Sequence, residues 1–420
     1  MVREHSHSEL STKIHVVADL RCRPIALLTS LGQHGDSPKF IPLPRTIRIW
    51  LRDPGLCATS CARMLQRVFA TSALLWQHAS RDNVGYRPTG GGRMTDEIVD
   101  GIAALLPSAE VMRGQFARGA RRIRWVEVAG TGPTVVFEAG AGATALSWLH
   151  VIRELAEHDR VRLVAYDRAG IGASDPIGGL GRVSLDTQVG DLVAVLDALA
   201  RTGGPCILVA HSWGGLLAQV AAWSRPELIA GMVLVDASHE QAVQQIPKRA
   251  LRGMLVNRVW WALLASSGIG RRTLRTEAAA AAAALSNDSD VRARLAAADL
   301  AYYTGTRRIF ATLVGEMRTA YRGTAQMARR RTAPDAVLPA VPLVVLSADP
   351  DKAGSIPGPV ASALVAQHRA IAEQVPGARH ELAEGSGHFI QLDRPERVVR
   401  AVREVLDGAT RVHAQPSTTD

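Results

Sequence analysis

A serine lies between an apolar run and a helical pattern in ILVAHSWGGLLAQVAA, residues 207–222. This order of strand, Ser212, glycines and helix is typical of a nucleophile elbow, written G-x-S-x-G, which exposes a serine hydroxyl at the end of a strand. Ala210 replaces the first glycine and is still small enough for strand and helix to approach closely. A serine hydroxyl is a weak nucleophile until a base takes its proton, so the elbow predicts a histidine elsewhere in the chain.

His388 is the base that the sequence favours among the 13 histidines. It lies in EGSGHFIQLDRPE, between the last strand pattern and a final amphipathic helix. Gly385 and Gly387 give its loop the freedom to bring an imidazole back over the sheet. The other histidines considered for the site are expected to be packing or polar neighbours: His150, His211 and His239.

Two positions compete for the acid that would orient the imidazole. In MVLVDASHEQ, Asp236 follows the strand pattern that precedes a long insertion. In VVLSADPDKAG, which follows the insertion, Asp351 has better spacing than Asp349. An aspartate in such a turn is otherwise satisfied by nearby backbone N–H groups, so the residues alone leave both candidates open.

Attack on a carbonyl puts negative charge on its oxygen, which requires N–H donors aimed at that position. One predicted donor is the backbone N–H of Trp213, the residue after the serine. The other is the N–H of Ala141 in the glycine-rich turn VVFEAGAGATALSW, where Gly140 and Gly142 permit the turn.

The elements that must position these residues form an alternation of apolar strands and amphipathic helices. One such helix places its apolar residues on one face: Val189, Leu192, Val193, Leu196 and Leu199. Near-continuous apolar strands alternating with helices predict an α/β fold with a mostly parallel sheet covered on both sides. The candidate strands are Ile123–Val128, Thr134–Phe137, Val161–Tyr166, Cys206–Val209, Gly231–Val235 and Leu343–Leu346.

Residues 240–339 are predicted to be an inserted helical lid, because so long a connection without structure is improbable in a compact domain. The lid carries Trp260, Trp261 and a run of alanines. Its run Arg329–Arg331 is expected to be a solvated helix face.

Composition excludes several classes of protein. The chain of 420 residues is 47% hydrophobic and 21% charged, which is the balance of a globular protein and not of a disordered one. Its net charge of +10 comes mostly from scattered arginines, so no nucleic-acid partner is expected. Four cysteines and the lack of a hydrophobic signal segment favour a cytoplasmic protein. Cys57 and Cys61 lack a second ligand pair, no metal or cofactor is expected, and no membrane-spanning segment is predicted.

Residues 121–408 resemble the α/β-hydrolase fold, within its group of esterases, proline iminopeptidases and haloalkane dehalogenases. Five blocks carry the resemblance in the family's order: EAGAGATALSW, VAYDRAGIGASDP, AHSWGG, LVDASHEQ and EGSGHFIQLDRPE. The resemblance implies a triad of Ser212, His388 and an acid, and its LVD.SH block favours Asp236 over Asp351. Dehalogenases and epoxide hydrolases place Asp at the elbow, so Ser212 implies acyl transfer to water.

The first part of the chain has a second, unrelated resemblance. Residues 5–49 are similar to a fragment of an insertion-sequence transposase, without counterparts of that family's metal-binding carboxylates. Asp19 and Asp36 are therefore expected to be turn residues, and the fragment to be non-functional. The expected domains are residues 1–50 as this fragment, 51–118 as a linker or poorly defined extension, 119–239 and 340–410 as the hydrolase core, and 240–339 as the lid.

The sequence thus predicts a cofactor-free serine hydrolase that cleaves a carboxylic ester or related acyl compound through an acyl-enzyme. A small acyl molecule is the expected partner, with neither nucleic acid nor membrane. An amide, lactone or C–C bond hydrolase of the same fold is the alternative within enzymes. Outside them, the alternatives are a catalytically silent binding module and a DNA-binding transposase remnant.

Overall fold

The computed structural model describes residues 12–18, 24–31, 90–177, 183–245, 268–303, 315–316, 318–320, 322–352 and 358–414. The chain divides into two compact units, Met1–Pro88 and Thr89–Asp420. In the first unit, β1 (Thr12–Ala18) pairs antiparallel with β2 (Pro24–Leu31). The residues singled out near this hairpin lie outside the described part of the chain: Asp19, Asp36, Cys57 and Cys61.

One eight-stranded sheet forms the centre of the second unit. Its strands are β3 (Val111–Arg118), β4 (Arg121–Val128), β5 (Thr134–Glu138), β6 (Arg162–Asp167), β7 (Cys206–His211), β8 (Ile229–Val235), β9 (Leu343–Ala348) and β10 (Arg379–Ala383). They lie in the order β10-β9-β8-β7-β5-β6-β4-β3. Strand β4 is antiparallel to both of its neighbours, β3 and β6. All neighbouring strands among β5–β10 are parallel, which confirms the predicted mostly parallel sheet.

Helices cover both faces of the sheet. They are α1 (Gly90–Leu105), α2 (Leu149–His158), α3 (Leu185–Gly203), α4 (Trp213–Ser224), α5 (Glu240–Gln245), α6 (Gly268–Leu285), α7 (Ser289–Tyr303), α8 (Thr324–Arg331), α9 (Gly358–Ala372), α10 (Ile390–Asp393) and α11 (Pro395–Ala414). Apolar side chains of α1, α2 and α11 pack in one layer, and those of α3, α4 and α9 pack in the other. The predicted apolar face of α3 is buried, except that Val193 is half-buried.

The compact unit starts earlier than residue 119, where the sequence placed the beginning of the hydrolase core. β3 pairs with β4 along its whole length, from Val111 opposite Val128 to Arg118 opposite Arg121. α1 buries Ile98 and Ile102 in the same core. Residues 90–118 are therefore part of this unit and not a linker, because they supply its outermost strand and a packed helix.

The insertion between β8 and β9 is helical where it is described. It contains α5 to α8, while residues 246–267 and 304–314, with Trp260 and Trp261, lie outside the described part of the chain. The predicted solvated face at Arg329–Arg331 is wrong in part. Arg331 pairs with buried Glu240 at 2.7 Å and lies over the ring of Trp223, and Arg330 pairs with Asp186.

No described helix combines the length and the apolar character needed to cross a membrane.

Candidate active site

The elbow places Ser212 between the end of β7 and the start of α4. Its backbone has φ 52° and ψ −121°, a conformation that costs free energy for a residue with a side chain. Close packing explains the glycines that follow. A Cβ on Gly214 would lie 2.4 Å from the Ala139 carbonyl oxygen, and one on Gly215 would lie 2.5 Å from Cβ of Ala237. The turn is also fixed by backbone bonds, from Ser212 N to Val235 O at 3.0 Å and from Ser238 N to Ser212 O at 2.8 Å.

The structure brings Ser212, His388 and Asp236 together in one hydrogen-bonded chain. His388 Nε2 lies 2.9 Å from Ser212 Oγ, and His388 Nδ1 lies 2.6 Å from Asp236 Oδ2. With the proton of the neutral imidazole on Nδ1, Nε2 is free to accept the proton of the serine hydroxyl. The arrangement can therefore activate Ser212 as a nucleophile.

Asp236 is held in place by the end of the neighbouring strand. Its second oxygen, Oδ1, accepts the backbone N–H of Ala348 at 2.9 Å, and its own N–H donates to Leu346 O at 2.8 Å. Burial alone would raise its pKa, but the hydrogen bond and charge of His388 hold that pKa below its usual value. The carboxylate is thus kept charged beside the imidazole.

Asp351, the alternative acid, is not part of this chain. It is exposed, and its N–H donates to Asp349 Oδ1 at 3.0 Å. The other oxygen of Asp349 accepts the N–H of Gly385 at 2.9 Å, which ties the loop after β9 to the loop that carries His388. Asp349 thus accepts nearby backbone N–H groups, as the sequence predicted for an aspartate in this turn that does not serve as the acid.

Three further histidines, His211, His368 and His380, hydrogen-bond to groups other than Ser212 Oγ. His211 Nε2 donates to the carbonyl of His388 at 2.9 Å, with the two rings 4.7 Å apart. Burial, then the charge of His388, lowers the pKa of His211 to about 3. His368 lies beyond Asp236, where Nε2 donates to Ala237 O at 2.7 Å and Nδ1 accepts from Ser347 Oγ at 2.7 Å. His380 Nε2 lies 2.8 Å from the same Ser347 hydroxyl.

His150 and His239 are predicted to be packing or polar residues, and their described surroundings agree with that prediction. Burial lowers the pKa of His150, which is half-buried on α2. His239 is buried, and its Nδ1 lies 3.7 Å from Glu240. Burial, followed by the charge of Arg331, lowers the pKa of His239 to about 4.

The loop after β5 lies against the elbow, where the sequence predicted the second N–H donor. A Cβ on Gly140 would lie 3.2 Å from Cβ of Ser212, so this backbone passes directly beside the serine. Ala141 follows and packs in the same apolar layer as Trp213. Gly142 has φ 68°, a left-handed conformation that favours glycine. The backbone N–H groups of Ala141 and Trp213 thus lie on the two segments beside Ser212, the loop after β5 and the start of α4.

Beneath this loop lies a buried cluster of charged groups that the sequence did not assign to the site. Arg168 donates through Nε to Glu316 at 2.7 Å and through its Nη atoms to the carbonyls of Ala139 and Gly140, each at 2.5 Å. It also pairs with Glu138, which bonds the Tyr166 hydroxyl. Burial raises the pKa of Glu138 to about 7. Burial alone would lower the pKa of Arg168, but Glu316 and Glu138 raise it.

Only part of this cluster has a signal in the sequence. Arg168 lies in the block VAYDRAGIGASDP and Glu138 in EAGAGATALSW, so both adjoin glycine-rich turns that resemble the family's blocks. Glu316 lies in the lid, in a stretch with no motif. Its partners Gly142, Arg168 and Gln188 are more than 100 residues earlier in the chain, so no local sequence pattern predicts the contacts.

Comparison with known proteins places this site in a family. A model of the Alpha/beta hydrolase family matches residues 135–401. Epoxide hydrolase 4 of Mus musculus is 34% identical over 93 residues, or 22% of this chain and 25% of that protein. Uncharacterized protein YqjL of Bacillus subtilis is 35% identical over 106 residues, or 25% of this chain and 40% of that protein. The chain thus spans less than half the length of these curated relatives.

Solved structures share the fold over a larger part of the chain. Epoxide hydrolase VrEH1 from Vigna radiata has a TM-score of 0.51 at 19% identity and covers 71% of this chain and 98% of its own. The Cif epoxide hydrolase from Acinetobacter nosocomialis has a TM-score of 0.54 at 18% identity, covering 77% of this chain and 98% of its own. At such low identity the likeness shows a common architecture.

Proposed function

Since the chain belongs to the Alpha/beta hydrolase family, we propose that it is a hydrolase that cleaves carboxylic esters or related acyl compounds with Ser212 as the nucleophile. The observation that carries this proposal is the hydrogen-bonded chain from Ser212 through His388 to Asp236. A serine activated by an imidazole with a carboxylate behind it is the arrangement that acyl transfer requires.

The geometry supports the following steps. His388 Nε2 takes the proton of Ser212 as Oγ bonds to the substrate carbonyl carbon, and Asp236 stabilises the imidazolium that forms. The carbonyl oxygen becomes negatively charged and is met by the N–H groups of Trp213 and Ala141. When the intermediate collapses, His388 gives the proton to the departing alkoxide, and the acyl group remains on Ser212. His388 then takes a proton from water as this water attacks the acyl carbon, and returns the proton to Ser212 Oγ as the acyl C–Oγ bond breaks and the acid is released.

Epoxide hydrolysis is the competing reaction, because several relatives are named for it. The residue at the elbow weighs against it in this chain. If Ser212 opened an epoxide, the product on the enzyme would be an ether, which has no carbonyl for water to attack. Turnover would stop after one cycle, whereas an ester formed on Ser212 from an acyl substrate is open to hydrolysis.

The test combines active-site labelling with a substrate panel. A fluorophosphonate probe should form an adduct on Ser212, located by mass spectrometry of peptides, and Ser212→Ala should abolish both the adduct and hydrolysis. The panel is a series of p-nitrophenyl esters of increasing chain length, with an amide, a lactone and styrene oxide beside it. An adduct on another residue, or turnover of styrene oxide without ester hydrolysis, would overturn the proposal.

A further inference from the structure

Glu316 is a fully buried carboxylate that comes from the lid and lies beneath the loop after β5. Its Oε2 accepts the backbone N–H of Gly142 at 2.7 Å. Its Oε1 accepts Nε of Arg168 at 2.7 Å and Nε2 of Gln188 at 2.9 Å. Burying such a charge is costly unless it is paired and hydrogen-bonded, and here the partners meet both requirements.

These bonds fix two consecutive peptide planes. In a trans peptide the C=O of one residue and the N–H of the next point in opposite directions within one plane. Arg168 Nη2 holds the carbonyl of Gly140 at 2.5 Å, so it also sets the direction of the Ala141 N–H on the other side of that plane. Glu316 holds the N–H of Gly142, which belongs to the following plane. Ala141 is therefore clamped from both sides.

Glu316 is also connected, through Gln188, to the start of α4. Gln188 donates to Glu316 and accepts the indole N–H of Trp213 at 3.1 Å through its own carbonyl oxygen. One carboxylate thus connects the side chain of Trp213 with the backbone around Ala141. The positive charge of Arg168 lies against Glu316, which limits the repulsion that this carboxylate would exert on a nearby oxyanion.

We propose that Glu316 is a positioning residue of the lid, which aims the oxyanion-binding N–H of Ala141 through Gly142 and Arg168. The inference rests on the proposed acyl-transfer function and adds to it that the lid carries part of the support for the oxyanion site. A donor shifted by the loss of Glu316 should weaken transition-state binding and leave substrate binding nearly unchanged.

The test uses Glu316→Ala and Glu316→Gln in the full chain. Glu316→Ala should lower kcat by roughly tenfold to a hundredfold with little change in KM, as expected when a supporting contact misplaces a catalytic group. Glu316→Gln keeps an oxygen for the Gly142 N–H but loses the charge, so its kcat should fall between those of the wild type and the alanine variant. Phosphonylation of Ser212 by the fluorophosphonate probe should slow in parallel, because its phosphoryl oxygen occupies the same position.

Asp186→Asn is the matched control. Asp186 accepts Gln326 Nε2 at 3.1 Å and pairs with Arg330, so it joins the lid to α3 without contacting the loop after β5. Its kcat and labelling rate should stay at the wild-type level. Equal losses in Asp186→Asn and Glu316→Ala would overturn the inference in favour of general docking of the lid.

The remaining outcomes distinguish the role of Glu316 from the proposed acyl-transfer function. If the probe labels the wild type and labels both Glu316 variants at the same rate, the role of Glu316 is overturned and the proposed acyl-transfer function is not. A wild-type protein that resists the probe would overturn the function, and the inference with it. If Glu316→Ala does not fold, the comparison of Glu316→Gln with Asp186→Asn decides the question by the same criteria.

Discussion

At the scale of single residues, the carboxylate of Asp236 is held at both oxygens, by the imidazole of His388 and by the N–H of Ala348. Asp236→Asn should lower kcat on the order of a thousandfold or more, because the amide no longer fixes the imidazole tautomer or stabilises the imidazolium. Steady-state hydrolysis of the best ester in the panel measures this loss.

Asp351→Asn is the control for that prediction. The side chain of Asp351 is exposed and lies outside the hydrogen-bonded chain, so the variant should keep near wild-type kcat. If Asp351→Asn loses activity while Asp236→Asn retains it, the assignment of the acid to Asp236 is wrong.

The burial of His211 predicts how stability depends on pH. Its pKa is about 3 in the folded protein and near 6.5 in the unfolded chain, so between these values the unfolded state binds a proton that the folded state does not. Stability from this residue is therefore complete above pH 6.5 and is lost as pH falls towards 3, by about 1.4 kcal/mol per pH unit at most.

His211→Gln should remove that part of the slope. Urea unfolding of both proteins at several values from pH 4.5 to 8 gives the free energy of unfolding. The curves should be steeper for the wild type below pH 6.5 and parallel above pH 7, where histidine is neutral in both states. Equal slopes across the whole range would contradict a neutral, buried His211.

At the scale of elements, the start of α4 lies against the end of β5 without room for a side chain. Gly214→Ala would place a Cβ 2.4 Å from the Ala139 carbonyl oxygen, so backbone must move. The variant should lose about 1–3 kcal/mol of stability and label more slowly at Ser212. Thermal unfolding and the labelling rate measure the two effects.

Gly358→Ala, at the start of α9, provides the comparison for a helical glycine in open space. A Cβ there would meet nothing within 4 Å, so stability and labelling should not fall. Similar losses in both variants would show that crowding at the elbow is not the cause.

The central strands were predictable from the sequence, whereas the edges of the sheet were not. β5 and β7 are buried on both faces and read as continuous apolar runs. β10, RHELA, and β3, VMRGQFAR, lie at the two edges, where half-exposed polar residues obscure the pattern. The elbow and His388 loop were likewise visible as motifs. The contacts of Glu316 were not, because they depend on how the lid folds back.

At the scale of the whole molecule, residues 90–118 should be required for folding of the second unit. Ile98 and Ile102 of α1 are buried, and a Cβ on Gly101 would lie 3.0 Å from Cβ of Ala298 in α7. A chain starting at residue 89 should be folded and labelled at Ser212. One starting at residue 119 should aggregate, because it exposes β4 as a new edge and lacks the two isoleucines, whose burial contributes about 1.5–3 kcal/mol each and whose removal uncovers the core beneath α1.

Size-exclusion chromatography and probe labelling of the two truncated chains check this prediction. Equal solubility and labelling would show that α1 and β3 are dispensable. If the chain starting at residue 89 also fails to fold, residues before 89 contribute to the stability of the hydrolase unit.

The backbone conformation at the site lowers thermal stability at residues that catalysis requires. Among the described residues, Ser212 at φ 52° and Asp236 at φ 41° are the non-glycine positions with positive φ. Each such residue costs about 1–3 kcal/mol, which glycine would relieve. Ser212→Gly should therefore unfold at a higher temperature than Ser212→Ala, although both are inactive. At Asp236 the same relief is offset, because glycine would leave the buried N–H of Ala348 without its acceptor. A mutant library enriched only for survival of heating would therefore accumulate inactive enzymes at Ser212, so any such screen needs a turnover step.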